Sequence, residues 1–390
     1  MVMNHAELFH TGDGREDARE QCVDYSAIDF DHSPLLVFYE LTQACDLVCQ
    51  HCRACAQPLR HPEELSSSEA RQLIDQLTQF PKTPLLVFTG GDPLKRPDLF
   101  DLIAHARSRG VAVAVTPSAT PLVTRQVLER FHDLGVGRLA VSLDGIDAAT
   151  HDAFRGWRGS YDLTMRIMHD AREVGLPIQV NTTISRINVG QVQPLLDLLA
   201  EKDIVLWSVF FLVPTGRATR EQCISPAEYE RVFELLWQHV SQGGFAVKTT
   251  EAPHYRRFVL QRAGQMVSGA PDQTATFPGL TARLRMLGVQ DGKGVMFVSH
   301  TGRIYPSGFL PINCGRFPHD DITQVYQHHP LFRLLRDPDA LEGKCGRCEF
   351  RRICGGSRAR AYAVTGNMLG SEPDCIYEPR MRSEDQPCLV

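Results

Sequence analysis

Three closely spaced cysteines, Cys45, Cys49 and Cys52, are the residues of this sequence best suited to metal or redox chemistry. Their spacing, C-x3-C-x2-C, presents three thiolates from one short loop. Three thiolates leave one iron of a [4Fe–4S] cubane without a protein ligand, and an open iron lets a cluster bind and activate a small molecule. A structural zinc ion prefers four ligands, and Cys55 or His51 could supply the fourth, so the spacing alone leaves zinc open.

A second group of cysteines near the C-terminus follows the pattern C-x2-C-x5-C, with one more cysteine downstream. Its members are Cys345, Cys348, Cys354 and Cys375. Four thiolates complete the ligand set of a [4Fe–4S] cluster, and they would equally complete a zinc site. Cys314 is interpreted as either a substitute ligand or a lone thiol, and Cys55 as a bystander of the first group.

The overall composition is that of an ordinary globular chain, with 390 residues, 43% of them hydrophobic, and a formal net charge of -5. The negative charge gives no electrostatic reason for nucleic-acid binding. No apolar run reaches the roughly 18 residues that a membrane span needs, and the polar N-terminus has no signal-peptide pattern. We therefore predict a cytoplasmic protein with no nucleic-acid and no membrane partner. In that compartment thiols stay reduced, so its twelve cysteines indicate metal or catalytic chemistry.

The segments around the first cysteine group alternate between strand and helix patterns. Short, apolar, β-branched runs predict six buried strands, at residues 35–41, 85–89, 111–115, 138–143, 177–182 and 204–213. A Ser66–Glu69 capping-box pattern and helical spacing predict a helix after the first strand, and residues 124–134 and 162–174 have similar spacing. Six βα units in a row predict an α/β fold with a parallel sheet and right-handed crossovers. We expect a curved, open, TIM-like barrel, with a flat doubly wound sheet as the alternative.

The pattern changes after Pro214. Two long helices are predicted at residues 226–240 and 254–267, a turn-rich segment at 269–278, and a hairpin at 295–305 with His300–Arg303 at its tip. These changes divide the chain into four predicted parts. They are an N-terminal extension (1–32), a barrel domain (33–215), a helical bridge (216–290) and a C-terminal domain that carries the second cysteine group (291–390).

Three further motifs lie at or after the ends of predicted strands. They are Gly90–Pro93 (GGDP), Val141–Gly145 (VSLDG) and His151–Gly156 (HDAFRG). Together with the cysteine loop after the first strand, they resemble the radical SAM superfamily over roughly residues 35–215. The resemblance implies a partial (β/α)6 barrel in which Cys45, Cys49 and Cys52 hold a catalytic [4Fe–4S] cluster. It also implies that S-adenosylmethionine (SAM) binds at the open iron, and it makes zinc at this loop much less favoured.

The resemblance implies a set of SAM contacts as well. They are His51, Gly90, Gly91, Asp92, Pro93, Ser118, Ser142, Arg155 and Asn181. The GGDP stretch would hold the amino group of SAM, while Ser142 and Arg155 would bind its carboxylate and ribose. Ser118 and Asn181 would contact the ribose, and His51 replaces an aromatic residue that usually packs near the adenine. Simpler interpretations stay open: a plain turn for GGDP, a surface salt bridge for Arg155, and capping for Ser118 and Asn181.

The C-terminal cysteines resemble the SPASM/twitch extension of some radical SAM enzymes. Its full form carries two auxiliary clusters and has a Tyr-Pro-Cys hairpin, which here reads Tyr305-Pro306-Ser307. Ser357 and Arg358 stand where another cysteine would be expected. We therefore predict one auxiliary [4Fe–4S] cluster, held by the four C-terminal cysteines. Having no open iron, it would accept an electron from the substrate or be structural.

The resemblance implies an enzyme that reductively cleaves SAM to a 5′-deoxyadenosyl radical and removes hydrogen from a substrate carbon, with flavodoxin or ferredoxin as the reductant. The segment 354–362 (CGGSRARAY) resembles haem-biosynthesis-related members, which favours oxidation or decarboxylation of a tetrapyrrole-like small molecule. Arg217 and Arg360 are candidate partners for its propionates. The alternative is a maturase that modifies a peptide, although only about 32 residues precede the barrel, too few for a leader-binding module. More remote alternatives are zinc in the auxiliary site and a non-catalytic zinc-bearing scaffold.

Overall fold

The structure is a computed structural model that describes residues 29–263 and 288–379. Most of the predicted N-terminal extension, the turn-rich segment 269–278, the end of the helix predicted to reach residue 267, and the chain after residue 379 lie outside the described residues. Within the two described ranges, no helix is long and apolar enough to cross a membrane.

The described strands form one sheet in the order β10-β9-β8-β1-β2-β3-β4-β5-β6-β7. They are β1 (Leu36–Glu40), β2 (Leu85–Thr89), β3 (Val113–Val115), β4 (Arg138–Ser142), β5 (Ile178–Ile184), β6 (Leu206–Phe211), β7 (Val247–Thr250), β8 (Val295–Val298), β9 (Arg303–Tyr305) and β10 (Gly315–Arg316). Strands β1 to β6 follow sequence order, each parallel to the next. Right-handed crossovers in one direction curl a sheet towards a barrel, whereas a doubly wound sheet reverses its order. The barrel-like prediction is confirmed, and the flat alternative is wrong.

Helices cover the outer face of this sheet and build the C-terminal region. They are α1 (Ser67–Leu77), α2 (Leu99–Ser108), α3 (Arg125–Asp133), α4 (Ala148–Arg155), α5 (Ser160–Glu173), α6 (Val192–Ala200), α7 (Pro226–Ser241), α8 (His254–Arg262), α9 (Ile322–His328), α10 (Pro330–Arg336), α11 (Gly343–Arg347) and α12 (Arg358–Thr365). The capping box predicted at Ser66 is present, because its side chain accepts from the Glu69 amide and Glu69 bonds back to it. The apolar faces of α1, α2, α3, α5, α6 and α7 form the main core with the strands.

Strand β7 was not predicted from the sequence. It pairs parallel with β6 and lies within the segment 216–290, which otherwise holds the predicted helices α7 and α8. Its sequence, Val-Lys-Thr-Thr, has one apolar residue and therefore gives no strand period. The division of the chain into four parts stays a prediction.

The predicted C-terminal hairpin is formed by β8 and β9, and it continues the barrel sheet. Strand β8 pairs parallel with β1, with Phe38 opposite Phe297, while β9 pairs antiparallel with β8. At the hairpin tip, His300 Nδ1 lies 2.6 Å from Glu40 Oε1, and Arg53 Nη1 donates to Glu40 Oε2 at 3.0 Å. The hairpin, the end of β1 and the cysteine loop are therefore fixed to one another.

The two faces of the barrel sheet differ in polarity. In β5, residues Ile178, Val180 and Ile184 are buried in the main core, while the alternate positions Gln179 and Asn181 are only partly buried. Because side chains alternate along a strand, Gln179 and Asn181 lie on the opposite face from the core helices, towards the barrel interior. The interior face is thus the place where polar strand residues can meet a ligand.

Candidate active site

The first cysteine group lies on a closed loop at the carboxyl end of β1. The Cys45 amide donates to the Gln57 carbonyl at 2.7 Å, and the Gln57 amide donates to the Gln43 carbonyl at 3.0 Å. The loop is therefore joined at its base, and Cys45, Cys49 and Cys52 project from one short segment. The carboxyl ends of parallel strands are where barrel folds place their active sites.

Gly90 and Gly91 pack directly against the base of this loop. A Cβ at Gly90 would lie 2.6 Å from the Thr42 carbonyl oxygen, and one at Gly91 would lie 2.3 Å from that of Ala44. The Gly91 amide donates to the Thr42 carbonyl at 2.8 Å. Only glycine permits this approach. The structure therefore gives these glycines a role in seating the cysteine loop. The Gly91 amide, which belongs to the stretch predicted to hold SAM, donates to that loop.

Asp92 is fully buried and its carboxylate is already occupied. It accepts hydrogen bonds from the Leu94 amide at 3.1 Å, the Ser118 amide at 3.4 Å and the Thr120 hydroxyl at 3.1 Å. Burial raises the pKa of Asp92 to about 6. Asp92 thus joins the end of β2 to the segment after β3. Pro93 is the first residue of the following short 3-10 helix. The contacts of Asp92 and Pro93 with SAM stay predictions.

The thiols of the loop receive hydrogen bonds from their surroundings. Cys45 Sγ lies 3.4 Å from Ser118 Oγ and accepts from the Leu47 amide at 3.4 Å, and Cys52 Sγ accepts from the Ala56 amide at 3.5 Å. Such bonds stabilise the negative charge of iron–sulfur thiolates. The Ser118 hydroxyl donates to the Gly91 carbonyl at 3.0 Å and lies beside Cys45, and its predicted contact with the ribose of SAM stays a prediction.

Burial raises the pKa of the Cys45 thiol to about 11 and also raises the pKa of Cys49. Such thiols ionise when a metal binds, because the metal's positive charge stabilises the thiolate. The donor set and its hydrogen bonds suit an iron–sulfur cluster. Among the residues that the structure describes, no three His, Cys, Asp or Glu side chains converge on a single ion position. The assignment of the cysteines as cluster ligands therefore stays a proposal.

Arg155, at the C-terminal end of α4, is held beside the cysteine loop. Its Nη2 lies 2.5 Å from Asp144 Oδ2, and its Nη1 lies 3.9 Å from Cys49 Sγ. The arginine side chain is only 13% exposed, so the interpretation as a surface salt bridge is wrong. Its Nε has no hydrogen-bond partner among the described residues. Asp144 belongs to the VSLDG motif, but its role as the partner of Arg155 was not predicted.

His51 stacks on Phe154, with ring centroids 4.1 Å apart and an interplanar angle of 13°. Burial, with help from the positive charges of Arg155 and Arg217, keeps the pKa of His51 well below its usual value. The imidazole is therefore neutral at physiological pH and packs as an aromatic ring. This geometry fits the predicted replacement of an aromatic residue, and its contact with the adenine stays a prediction.

A row of four polar residues crosses strands β4 to β7. Ser142 is opposite Asn181, Asn181 is opposite Ser208, and Ser208 is opposite Lys248. Residues in register on neighbouring strands project to the same face, so the row lies on the interior face with Asn181. The structure thus brings Ser142 and Asn181 together, and it adds Lys248, which no sequence motif marked.

The four C-terminal cysteines line one pocket. Burial raises the pKa of Cys348 to about 11 and also raises the pKa values of Cys354 and Cys375. The Glu372 amide donates to Cys345 Sγ at 3.2 Å. Four thiols around one cavity, that of Cys354 buried and the others partly buried, fit a four-cysteine metal cluster, and their ligand role stays a proposal.

The chain approaches this pocket closely at Gly356, which has a φ of +67°. A Cβ there would lie 2.7 Å from Glu372 Cβ and 3.4 Å from Cys345 Sγ. The neighbouring Arg358 is buried, with its Nη2 3.7 Å from Cys345 Sγ and its Nη1 donating to the Met368 carbonyl at 2.8 Å. Arg358 therefore places positive charge against a proposed cluster ligand.

Arg360 does not face a substrate space. Its Nη1 lies 3.2 Å from Glu372 Oε1, its Nε lies 3.3 Å from Asp374 Oδ2, and its Nη2 donates to the Phe211 carbonyl at 3.2 Å. The side chain is fully buried. The hypothesis that Arg360 binds a propionate is wrong, because two internal carboxylates already neutralise it.

The two serines at the expected positions of further SPASM cysteines are engaged in hydrogen bonds. Ser307 Oγ donates to Asp291, and Ser357 Oγ donates to Glu251. Cys314 lies in the main apolar core and does not line the auxiliary pocket. Cys314 is therefore placed away from the other C-terminal cysteines, and the single auxiliary cluster stays a prediction.

Comparison with known proteins defines the class of this chain. The family model of the Radical SAM superfamily matches residues 39–199, which include the cysteine loop and the residues from Gly90 to Asn181. Curated relatives are up to 40% identical over 90% of the chain. The chain belongs to the radical SAM superfamily and is a radical SAM enzyme. This membership implies SAM and a [4Fe–4S] cluster as cofactors.

Two relatives indicate the subgroup. The AdoMet-dependent heme synthase of Nitratidesulfovibrio vulgaris is 40% identical over 358 residues, covering 90% of this chain and 94% of the relative. The AdoMet-dependent heme synthase of Methanosarcina barkeri is 37% identical over 348 residues, covering 89% and 98%. Relatives named as a mycofactocin maturase and a PqqA peptide cyclase match at 28% and 25% identity. Of these four relatives, the two named as haem synthases share the higher identity with this chain.

The solved structure of Streptococcus suis SuiB bound to its precursor peptide SuiA has the same fold. Its TM-score is 0.69 at 17% identity, with 89% of this chain and 76% of SuiB covered. This similarity supports the barrel with its C-terminal SPASM-type region.

His254, which lines the auxiliary pocket, was missed by the sequence analysis, because a lone histidine at a helix start carries no signal.

Proposed function

We propose that this chain is an AdoMet-dependent haem synthase that converts two propionate side chains of an iron porphyrin into vinyl groups by oxidative decarboxylation. The identity of 37–40% to two enzymes of that name, over nearly their whole length, carries the proposal. Each conversion removes one hydrogen atom from the β-carbon of the propionate, then one electron and CO2, and leaves a carbon–carbon double bond. The cluster and SAM, when bound, supply the 5′-deoxyadenosyl radical that takes the hydrogen atom.

Cys45, Cys49 and Cys52 would hold the catalytic cluster. The loop is seated on Gly90 and Gly91, and hydrogen bonds from neighbouring amides already meet two of its sulfur atoms. A rigid loop keeps the open iron in one position relative to the barrel interior. This pre-organisation is what a reaction between two bound molecules requires.

The residues around the loop would position SAM. Arg155 is fixed by Asp144 and has one unpaired Nε, so it can still meet a carboxylate. His51 offers a neutral stacked ring, and Ser142 and Asn181 project into the interior from adjacent strands. Asp92 would act indirectly, by holding the turn beneath the cysteine loop, since its own oxygens are occupied.

Arg217 and Lys248 are the proposed partners of the substrate propionates. The Arg217 amide donates to the Cys52 carbonyl at 3.1 Å, which places this residue beside the cysteine loop. Its Nε and Nη2 are buried and have no hydrogen-bond partner among the described residues. An unpaired buried guanidinium is costly unless an anion binds it. Lys248 continues the row of polar residues on the interior face of the sheet, and it would place a second cation on that face.

The auxiliary cluster would be held by Cys345, Cys348, Cys354 and Cys375, and it would take up the electron that each propionate loses. Flavodoxin or ferredoxin is the proposed reductant of the catalytic cluster. Zinc in the auxiliary pocket is the alternative, since four cysteines suit either metal centre. The cytoplasmic location stays a prediction.

Two measurements test this function. Anaerobically reconstituted wild type should contain about eight irons, and a Cys45→Ala/Cys49→Ala/Cys52→Ala variant about four, as expected for two cubanes. Wild type with SAM, dithionite and iron coproporphyrin III should release haem, with about two 5′-deoxyadenosines per haem because each radical removes one hydrogen atom. 5′-Deoxyadenosine without any loss of CO2 from the porphyrin would contradict the proposed substrate. About four irons in wild type and none in the variant would leave the C-terminal cysteines to zinc or to a structural role.

A further inference from the structure

His254 is a buried histidine whose ring has nothing to bond within the described protein. It is the first residue of α8 and lines the pocket that holds the four C-terminal cysteines. It is 1% exposed, and neither ring nitrogen has a hydrogen-bond partner among the described residues. Buried polar groups in proteins are nearly always paired. The ring therefore lacks a partner within the described protein, beside a pocket lined by four cysteines.

The groups packed on His254 cannot supply that partner. Tyr229 and Phe233 contact it as aromatic rings, with centroids 5.1 and 4.9 Å away. The charged groups that act on it are the cations Arg360, Arg257 and Lys344, which donate hydrogen bonds and do not accept them, and the carboxylate of Asp374, whose two oxygens already accept from Arg220. A neutral imidazole always carries one N–H, and leaving that donor unpaired in the interior has a free-energy cost. An acceptor within the pocket would remove this cost.

We propose that His254 donates its ring N–H to the auxiliary [4Fe–4S] cluster and, with Arg358, makes that cluster a better electron acceptor. This inference rests on the proposed auxiliary cluster. Sulfur atoms of such a cluster accept N–H hydrogen bonds, and a donor stabilises the more negative, reduced state. Arg358 adds a guanidinium 3.7 Å from Cys345 Sγ. When the substrate loses an electron, the oxidised cluster gains it, and no change in the protonation of His254 is needed.

The test uses the full chain with Cys45, Cys49 and Cys52 changed to alanine, so that only the auxiliary cluster contributes iron. In this background we compare His254→Phe, which removes the donor and keeps an aromatic ring, with His254→Gln, which keeps an N–H. The control is His239→Phe, since His239 is a histidine of α7 that packs on Phe245 and does not line the pocket. The readouts are iron content, the midpoint potential by EPR-monitored titration, and pulsed EPR of protein labelled with 15N-histidine.

We expect His254→Phe to retain iron and to shift the midpoint potential to a more negative value, His254→Gln to shift it less, and His239→Phe to leave it unchanged. The labelled parent should show a weak 15N coupling that His254→Phe abolishes. If the parent binds no auxiliary iron, the proposed cluster itself fails. If iron is present but the 15N coupling is absent, or is as strong as direct iron ligation, only the hydrogen bond is overturned. If His254→Phe loses iron, the 15N coupling of the parent protein and the midpoint potential of His254→Gln test the hydrogen bond in its place.

Discussion

The guanidinium of Arg155 joins Asp144, at the end of the VSLDG segment, to Cys49 on the cysteine loop. Its Nη2 lies 2.5 Å from Asp144 Oδ2 and its Nη1 lies 3.9 Å from Cys49 Sγ. Asp144 is fully buried, and its other oxygen accepts from the Thr183 amide at 2.7 Å. One side chain therefore connects two strands, a helix end and the cluster loop, and its position is fixed before any ligand arrives.

Replacing Arg155 by lysine should weaken SAM binding about tenfold or more, because an ammonium cannot keep Asp144 and still present a planar fork to a carboxylate. The measurement is calorimetric titration of cluster-loaded protein with SAM. Arg158→Lys is the matched control, since Arg158 is exposed and lies only three positions away. Equal affinities for the two variants would remove Arg155 from the SAM site.

Gly91→Ala should displace the cysteine loop, because its new Cβ would lie 2.3 Å from the Ala44 carbonyl oxygen. We expect iron to fall from about eight to about four per chain, with the loss confined to the catalytic cluster. The helical circular dichroism signal should stay close to that of wild type. Gly190→Ala serves as the control, since no atom lies within 4 Å of its added Cβ. Full iron in Gly91→Ala would show that the loop tolerates the shift.

Glu251 should make stability depend on pH. Burial and the neighbouring Asp291 carboxylate raise the pKa of Glu251 from 4.5 to about 8. Between these values the folded protein holds a proton that the unfolded chain has lost, so stability falls as the pH rises through this window. Glu251→Gln should flatten this slope in melting temperatures measured from pH 5 to 9. Glu129→Gln, at an exposed position of α3, should keep the wild-type slope, and an equal slope in Glu251→Gln would contradict the assignment.

Arg217→Met should impair use of the porphyrin far more than binding of SAM. Loss of a hydrogen bond between charged groups costs about 1.5–3 kcal/mol, or roughly a 10- to 100-fold fall in kcat/KM. The affinity for SAM should stay within a factor of about two. Haem formation and SAM titration measure the two effects, with Arg231→Met on the exposed face of α7 as the control. A parallel loss of SAM affinity would place Arg217 in the cofactor site instead.

The sequence was informative where local pattern determines structure. Apolar, β-branched runs gave all six barrel strands to within a few residues, since a strand buried on both faces needs little else. The cysteine spacings indicated the two cluster regions for a similar reason, because ligands on one loop are brought together by local chain geometry. The sequence patterns did not predict strand β7 or the pairing of β8 with β1, because both pairings depend on contacts between residues distant in the chain.

Individual side-chain roles were harder to predict. Arg217 and Arg360 looked alike in the sequence as candidate propionate partners, and the structure separates them because Glu372 and Asp374 neutralise Arg360. Asp92 was predicted to meet a ligand, but burial and three internal hydrogen bonds occupy it. Such outcomes depend on which residues meet in space, which spacing along the chain does not determine.

The parallel pairing of β8 with β1 has a consequence for how the chain tolerates truncation. If residues 295–305 were removed, β1 would become an edge strand with an unpaired row of amides and carbonyls. Exposed edges of this kind template strand addition from other copies. A fragment ending before Val295 should therefore self-associate, even though it would contain the cysteine loop and the other SAM motifs.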